Sequence, residues 1–364
     1  MSIPKHMTAA VLTGHGGLDK LVVRDDVPVP EPDPGEVLIQ VGACGVNNTD
    51  INTRIGWYSK SVTAETGLVQ EDRPVTDDAS WGGKAISFPR IQGADVAGRI
   101  VAVGDGVPSD RIGERVVVDP ILRNPLDPDN RDLTGYFGSE RDGGFAQYTT
   151  VPQENAVTMH SDLSDAELAT FPCSYSTAEN MLTRIGLGKE DTILIPGASG
   201  GVGSALVQLA KRRGARVLGI TSRSKMDAIR RLGADVVLSR DPDNLERSLR
   251  EAVSGGHLNA VADIVGGANV AMYLDVLCRG GRYVTSGAIA GPMFEIDLRV
   301  VYLKDLELHG ATVLGKNIFR NLSRYIEKGE VHPLLDKTFP LRKIHEVQEV
   351  FLTKSHIGKF VLLP

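Results

Sequence analysis

Two short stretches of this chain carry side chains able to do chemistry. The first, CGVNNTDINTRIGWY from Cys44 to Tyr58, crowds a thiol, three carboxamides, a carboxylate, a guanidinium and a phenol into fifteen residues. Such a set suits metal ligation, proton transfer or hydrogen bonding to a substrate oxygen. The second, PGASGGVGSALVQLAKRRG at 196–214, places glycines in a turn between an apolar strand and an amphipathic helix.

Glycines without a β-carbon let backbone approach a pyrophosphate, whose charge is met by the free amides and positive dipole of a helix start. The candidate cofactor contacts in this turn are Ala198, Ser199, Gly200, Gly201, Val202 and Gly203, with Ala198 where the usual pattern begins with glycine. The strand that follows ends in GITSRSK, about twenty residues beyond Gly203, where an NAD binder places an acid against the ribose hydroxyls. No acid stands in that segment. Ser222, Arg223 and Lys225 offer a hydroxyl and two cations, which is chemistry for a 2′-phosphate. They predict NADPH in preference to NADH; the alternative is that the two cations only face water at a helix start.

These stretches need elements to position them. A chain of 364 residues predicts two domains. In the first half, AAVLTG, LVVRDDV, EVLIQVGACGV, VAGRIVAVG and RVVV are short β-branched segments bounded by Gly, Pro and Asp, which predicts a barrel-like all-β domain. From about residue 160 strand and helix alternate as far as RYVTSG, which predicts right-handed crossovers and a parallel doubly wound sheet. The tail GKFVLLP returns as a further strand of the first domain. The expected class is α/β, with a catalytic domain of 1–157 and 320–364 around a nucleotide-binding domain of 158–319. Two irregular tracts, 59–87 and 119–144, are long enough to act as lids or flaps, and Trp57, Trp81 and Phe137 in or near them are candidates to wall an apolar pocket. Asp127, Asp129 and Asn130 lack the glycine and closing glutamate of a calcium loop.

A formal charge of −6 opposes nucleic-acid binding, which needs a dense basic surface, and so points to small-molecule partners. No apolar run reaches membrane-helix length and the first residues lack the pattern of a signal peptide, so a cytoplasmic location is expected. Three scattered cysteines, Cys44, Cys173 and Cys278, build neither a disulfide framework nor a zinc knuckle.

With GVNNTD, GADVAG, GASGGVG, DIVGG and a terminal GKFVL in that order, the chain resembles the medium-chain dehydrogenase/reductase superfamily over nearly its whole length. The likeness is greatest to the zinc-independent quinone oxidoreductase and enoyl reductase branches. The resemblance implies a GroES-like β-barrel catalytic domain, a Rossmann domain, an active site in the cleft, and a homodimer or homotetramer. It adds Thr177 near the nicotinamide ribose, and Gly266 and Gly267 along the cofactor edge. It also adds SGAIAG, with Ser286, Gly287 and Ala288, as the loop meeting the carboxamide. Arg240 stands where quinone oxidoreductases often have a tyrosine beside the adenosine. The zinc-dependent relatives hold their metal at three places matching Asn47, Ala94–Asp95 and Cys173 here. A carboxamide, one carboxylate and one thiol do not make a catalytic zinc site, so no metal is expected.

Without a Lewis acid the site suits a conjugated electron sink, an enone, enoyl thioester or quinone, whose charge hydrogen-bond donors can stabilise. Asn47, at the vacated ligand position, is a candidate to orient the substrate carbonyl. Tyr58 resembles the proton donor of the enoyl reductases, and a phenol stays protonated at neutral pH; the other reading is a tyrosine packed at the base of the following tract. Asn48 and Asp50 are read as structural, Cys173 as an inert packed thiol, and Asp95 as pairing with a cation such as Arg54. The expected activity is NADPH-dependent reduction of a quinone or α,β-unsaturated carbonyl. The alternatives are a zinc-independent alcohol or aldehyde dehydrogenase and a non-catalytic NADPH-binding protein.

Overall fold

The computed structural model describes residues 3–69, 75, 80–81, 85–241 and 243–364. The remaining residues of the 59–87 tract, and the proposed lid they belong to, lie outside the described residues. The chain divides into two units, one of residues 1–62, 69–173 and 319–364 and the other of 63–68 and 174–318.

In the first unit the central strand is Glu36–Gly45, whose apolar residues are buried on both faces. It pairs antiparallel with Asp95–Val103 on one side and Lys359–Leu363 on the other. Further strands, Arg115–Val118, Ala156–Thr158, Tyr148–Pro152 and Leu335–Pro340, extend the same sheet, and His6–Leu12 with Leu21–Pro28 and Arg90–Ile91 forms a second, smaller one. This is the expected GroES-like β domain, and the C-terminal strand does return to it. Its core gathers Leu12, Ile39, Ile51, Val96, Phe145 and Phe360.

Strand pairing here has a chemical consequence. Gly45 lies opposite Asp95 on one flank and Val361 on the other, so one strand's C-terminal end adjoins the N-terminal ends of two neighbours. Residues just past or at those ends, Asn47, Asp95 and Lys359, are thereby gathered from three distant places in the chain.

The second unit is a six-stranded parallel sheet. Numbered along the chain, its strands Thr192–Ile195, Arg216–Thr221, Val236–Ser239, Ala260–Asp263, Arg282–Thr285 and Glu307–Gly310 lie in the order 3-2-1-4-5-6, the doubly wound arrangement expected of a Rossmann domain. Thr192–Ile195 is buried throughout, as a strand covered on both faces must be. The order reverses between the first and fourth strands, the place where open α/β sheets bind ligands.

Candidate active site

Asn47 precedes the short helix Asn48–Arg54. Its backbone N–H donates to Asp50 Oδ2 at 2.7 Å, so Asp50 is a local helix-start acceptor, as expected. The Asn47 carboxamide is held at both ends: Oδ1 accepts from Lys359 Nζ at 2.5 Å and Nδ2 donates to Asp95 Oδ2 at 2.9 Å. Lys359 Nζ also lies 2.6 Å from Asp95 Oδ2, while Asp95 Oδ1 accepts the Cys173 backbone N–H at 2.6 Å. Gly45 makes this packing possible, because a Cβ there would lie 2.4 Å from Ala169 O and 2.8 Å from Asp95 Oδ2.

The cation expected beside Asp95 is present, but it is not Arg54, the example named, and this is corrected. Arg54 is buried and turns its guanidinium to Gln348 Oε1 and the Gly16 carbonyl, whereas the ion pair of Asp95 is with Lys359. Sequence distance hid it, since Lys359 lies 264 positions from Asp95 and stands inside what reads as an ordinary terminal strand. Its only signal was a lysine opening an apolar strand.

Tyr58 is half-buried, with its hydroxyl 2.9 Å from Thr49 Oγ1 and in a further hydrogen bond to Asn52. Burial pushes its phenol up to about 12, against the pull of those two bonds. Trp57 packs edge-on to it, at 5.7 Å between ring centroids. Asn48 bonds Asn52 and receives Lys354 Nζ at 3.0 Å, a structural setting.

The 119–144 tract is partly ordered by a small ladder, Ile121–Leu122 against Gly135–Tyr136. It brings in Tyr136, which sequence reasoning missed: its side chain lies beside the Cys173 thiol and its ring stacks on Trp81 at 4.8 Å. Burial raises the Cys173 thiol to about 12, with Asp95 adding to it, which keeps this sulfur protonated at neutral pH. Phe137 has no exposed surface with which to wall a pocket. It is wholly buried in the core beside Phe145, because the residue after Tyr136 points to the opposite face of the ladder.

In the second unit Gly197, at φ +68°, turns the chain out of Thr192–Ile195, and the helix Gly201–Arg212 follows. A Cβ on Gly203 would meet Gly197 O at 2.1 Å, so only glycine permits this approach of helix to turn. At Gly200 a Cβ would meet only Gly197 O, at 3.7 Å, leaving open space ahead of the helix N-terminus. Ser199, Gly201 and Val202 are half-buried around it, while Ala198 is buried and donates its N–H to Ile220 O. Such a cradle fits a pyrophosphate.

Gly266 and Gly267, at φ +67° and +71°, form the neighbouring turn, with Gly266 N–H directed at the buried Asp263 carboxylate. Ser286, Gly287 and Ala288 lie against it; Ser286 Oγ donates to Ala311 O, and a Cβ on Gly266 would lie 3.0 Å from Ala288 Cβ. Thr177 is half-exposed on the helix Pro172–Arg184, among buried neighbours.

Ser222, Arg223 and Lys225 end the Arg216–Thr221 strand together, and Arg240 is exposed on the adjoining chain. One feature escaped the sequence. Arg223 is paired at 2.7 Å with Asp241, an acid delivered by the neighbouring strand rather than by its own.

Comparison with known proteins fits this geometry. Residues 33–161 match the alcohol dehydrogenase GroES-like domain family and 201–328 the zinc-binding dehydrogenase family. An alcohol dehydrogenase-like protein of Sinorhizobium meliloti 1021 superposes with a TM-score of 0.91 and 46% identity, over 100% of this chain and 98% of that one. The NAD-dependent alcohol dehydrogenase of Sulfurisphaera tokodaii is 26% identical over 95% of this chain and 98% of its own. The chloroplastic NADPH-dependent alkenal/one oxidoreductase of Arabidopsis thaliana is 27% identical over 100% of this chain and 81% of its own.

A zinc-binding match raises the question of a metal. Catalytic zinc requires three deprotonated side chains of the His, Cys or carboxylate kind. The matching positions here offer the Asn47 carboxamide, an Asp95 carboxylate already paired, and a thiol held protonated by burial. The Lys359 ammonium touches the first two, and a dication there would meet it charge to charge. This donor set does not fit zinc.

Proposed function

Because this chain belongs to the medium-chain dehydrogenase/reductase superfamily of oxidoreductases, we propose that it reduces the conjugated double bond of an α,β-unsaturated carbonyl compound, or a quinone, with NADPH as hydride source. A reduced nicotinamide supplies the hydride when bound. What this chain adds is binding and electrostatics. The Gly197–Gly203 turn holds the pyrophosphate, Gly266 and Ser286–Ala288 line the nicotinamide end, and Ser222, Arg223, Lys225 and Arg240 meet the adenosine phosphate.

The observation that carries the reading is the donor set at Asn47. A simple ketone concentrates the developing charge on one oxygen, the case in which a metal helps most, whereas an enolate or the anion of a hydroquinone spreads its charge and can be met by hydrogen-bond donors. Asn47 supplies one such donor. Tyr58, kept protonated by burial, supplies the proton that completes reduction at the α carbon or oxygen.

A screen following NADPH absorbance over enones, quinones, aldehydes and alcohols tests this. Turnover of enones or quinones without zinc is expected; oxidation of simple alcohols alone would overturn it. Tyr58→Phe is expected to lower kcat about 10²-fold, in the range of a lost general acid, and wild-type turnover would remove Tyr58 from the chemistry.

A further inference from the structure

Lys359 is only 2% exposed, yet two of its three ammonium protons are accounted for by Asn47 Oδ1 at 2.5 Å and Asp95 Oδ2 at 2.6 Å. An ammonium only donates and a carboxylate only accepts. The Asn47 carboxamide is caught between these two opposite characters. Its oxygen must face Lys359 and its nitrogen must face Asp95, and a half-turn would set N–H against N–H and oxygen against oxygen. Asp95 is itself fixed by the Cys173 backbone N–H at 2.6 Å, so the clamp does not swing. One Nδ2 proton goes to Asp95, and among the described residues the other has no partner.

We propose that Lys359 is a positioning residue for the reduction, which with Asp95 locks the Asn47 carboxamide so that its remaining hydrogen-bonding group is an N–H donor. That is the polarity an oxygen gaining negative charge requires; a flipped carboxamide would present its own oxygen and repel it. The same ammonium that bars a dication thus sets the one donor left at the vacated ligand position. This inference rests on the reading that Asn47 meets the substrate oxygen.

The test is a kinetic double-mutant cycle on the full chain, with 2-cyclohexenone and 1,4-benzoquinone as probes and NADPH as reductant. Asn47→Ala and Lys359→Met are each expected to lower kcat about 10²- to 10³-fold, the effect of one lost oxyanion donor, with KM for NADPH unchanged. The double variant is expected to be no slower than the slower single one, because both act through one donor. If Lys359→Met does not fold, Lys359→Met with Asp95→Asn removes both charges together and takes its place. A second readout needs no turnover: the Asn47 side-chain NH₂ signals in ¹⁵N-asparagine-labelled protein, assigned by their loss in Asn47→Ala. They are expected to be separate and exchange-protected in the wild type and to merge or broaden in the Lys359 variant. Wild-type kcat in Lys359→Met, additive losses, or unchanged NH₂ signals would each overturn the lock while leaving Asn47 as donor. Wild-type kcat in Asn47→Ala would overturn the donor reading and Lys359's part in it. If neither probe turns over, the NH₂ signals alone decide.

Discussion

Asp50 and Lys359 set the electrostatics of this site residue by residue. Burial raises the Asp50 carboxyl to about 7, above its ordinary value near 3.8, with Lys359 and the Asn47 N–H opposing and Asp95 adding to the rise. A group raised on folding stabilises the protein while it holds its proton and loses that contribution as pH climbs through the folded value. Asp50 therefore favours the folded state below about pH 4 and opposes it increasingly up to about pH 7. Asp50→Asn, which keeps an acceptor for Asn47, is expected to gain stability relative to wild type between pH 5 and pH 8, by about 1–3 kcal/mol. Urea unfolding at the two pH values checks this, and an equal difference at both would contradict it. Lys359→Met alone leaves Asp95 buried without its cation and is expected to cost about 3–5 kcal/mol in the same measurement. Asp50 was legible as a structural residue, since its bond to backbone is local, though its place at a helix start was not. Lys359 was not, since its partners come from strands paired across the whole unit.

At the scale of elements, the proposed function assigns the pyrophosphate to the glycine turn and the choice of cofactor to the strand end beside it. The turn was legible because its demands are local: Gly197 needs a positive φ and Gly203 must let its helix approach. Gly203→Ala is expected to weaken NADPH and NADH alike by more than about tenfold, as a Cβ 2.1 Å from backbone oxygen must displace the turn. On the same proposal, discrimination between the two cofactors falls to the strand end. An exposed pair such as Arg223 with Asp241 is worth about 0–1 kcal/mol, so a 2′-phosphate can take the guanidinium over. Asp241→Asn should then tighten NADPH several-fold and leave NADH unchanged, while Arg223→Ala should weaken NADPH selectively. Fluorescence titration measures both, and NADH tighter than NADPH in the wild type would reverse the cofactor assignment. Asp241 escaped the reading of the sequence because parallel pairing, not chain proximity, brings one strand's end to its neighbour's.

For the molecule as a whole, the sheet of the second unit ends at Glu307–Gly310, which among the described residues pairs on one side only. Leu308 on that strand is 49% exposed, and Leu298, Tyr302 and Leu303 on the preceding segment are more exposed still. An edge of this kind can pair with itself about a two-fold axis, satisfying open backbone groups and covering apolar side chains together. A homodimer in sedimentation velocity is the expected outcome, with Leu308→Lys shifting it toward monomer. Among the described residues no helix is long and apolar enough to cross a membrane. The order of strands and helices, the glycine-rich turn and the residues standing at the three positions matching zinc ligands were determined by the sequence alone, because periodicity, glycine and residue identity act over a few neighbouring residues. The buried cation at the positions matching the zinc ligands, the acid beside Arg223 and the closeness of Tyr136 to the Cys173 thiol were decided only by the tertiary structure. Each joins residues far apart in the chain, and only strand register and packing bring their side chains together.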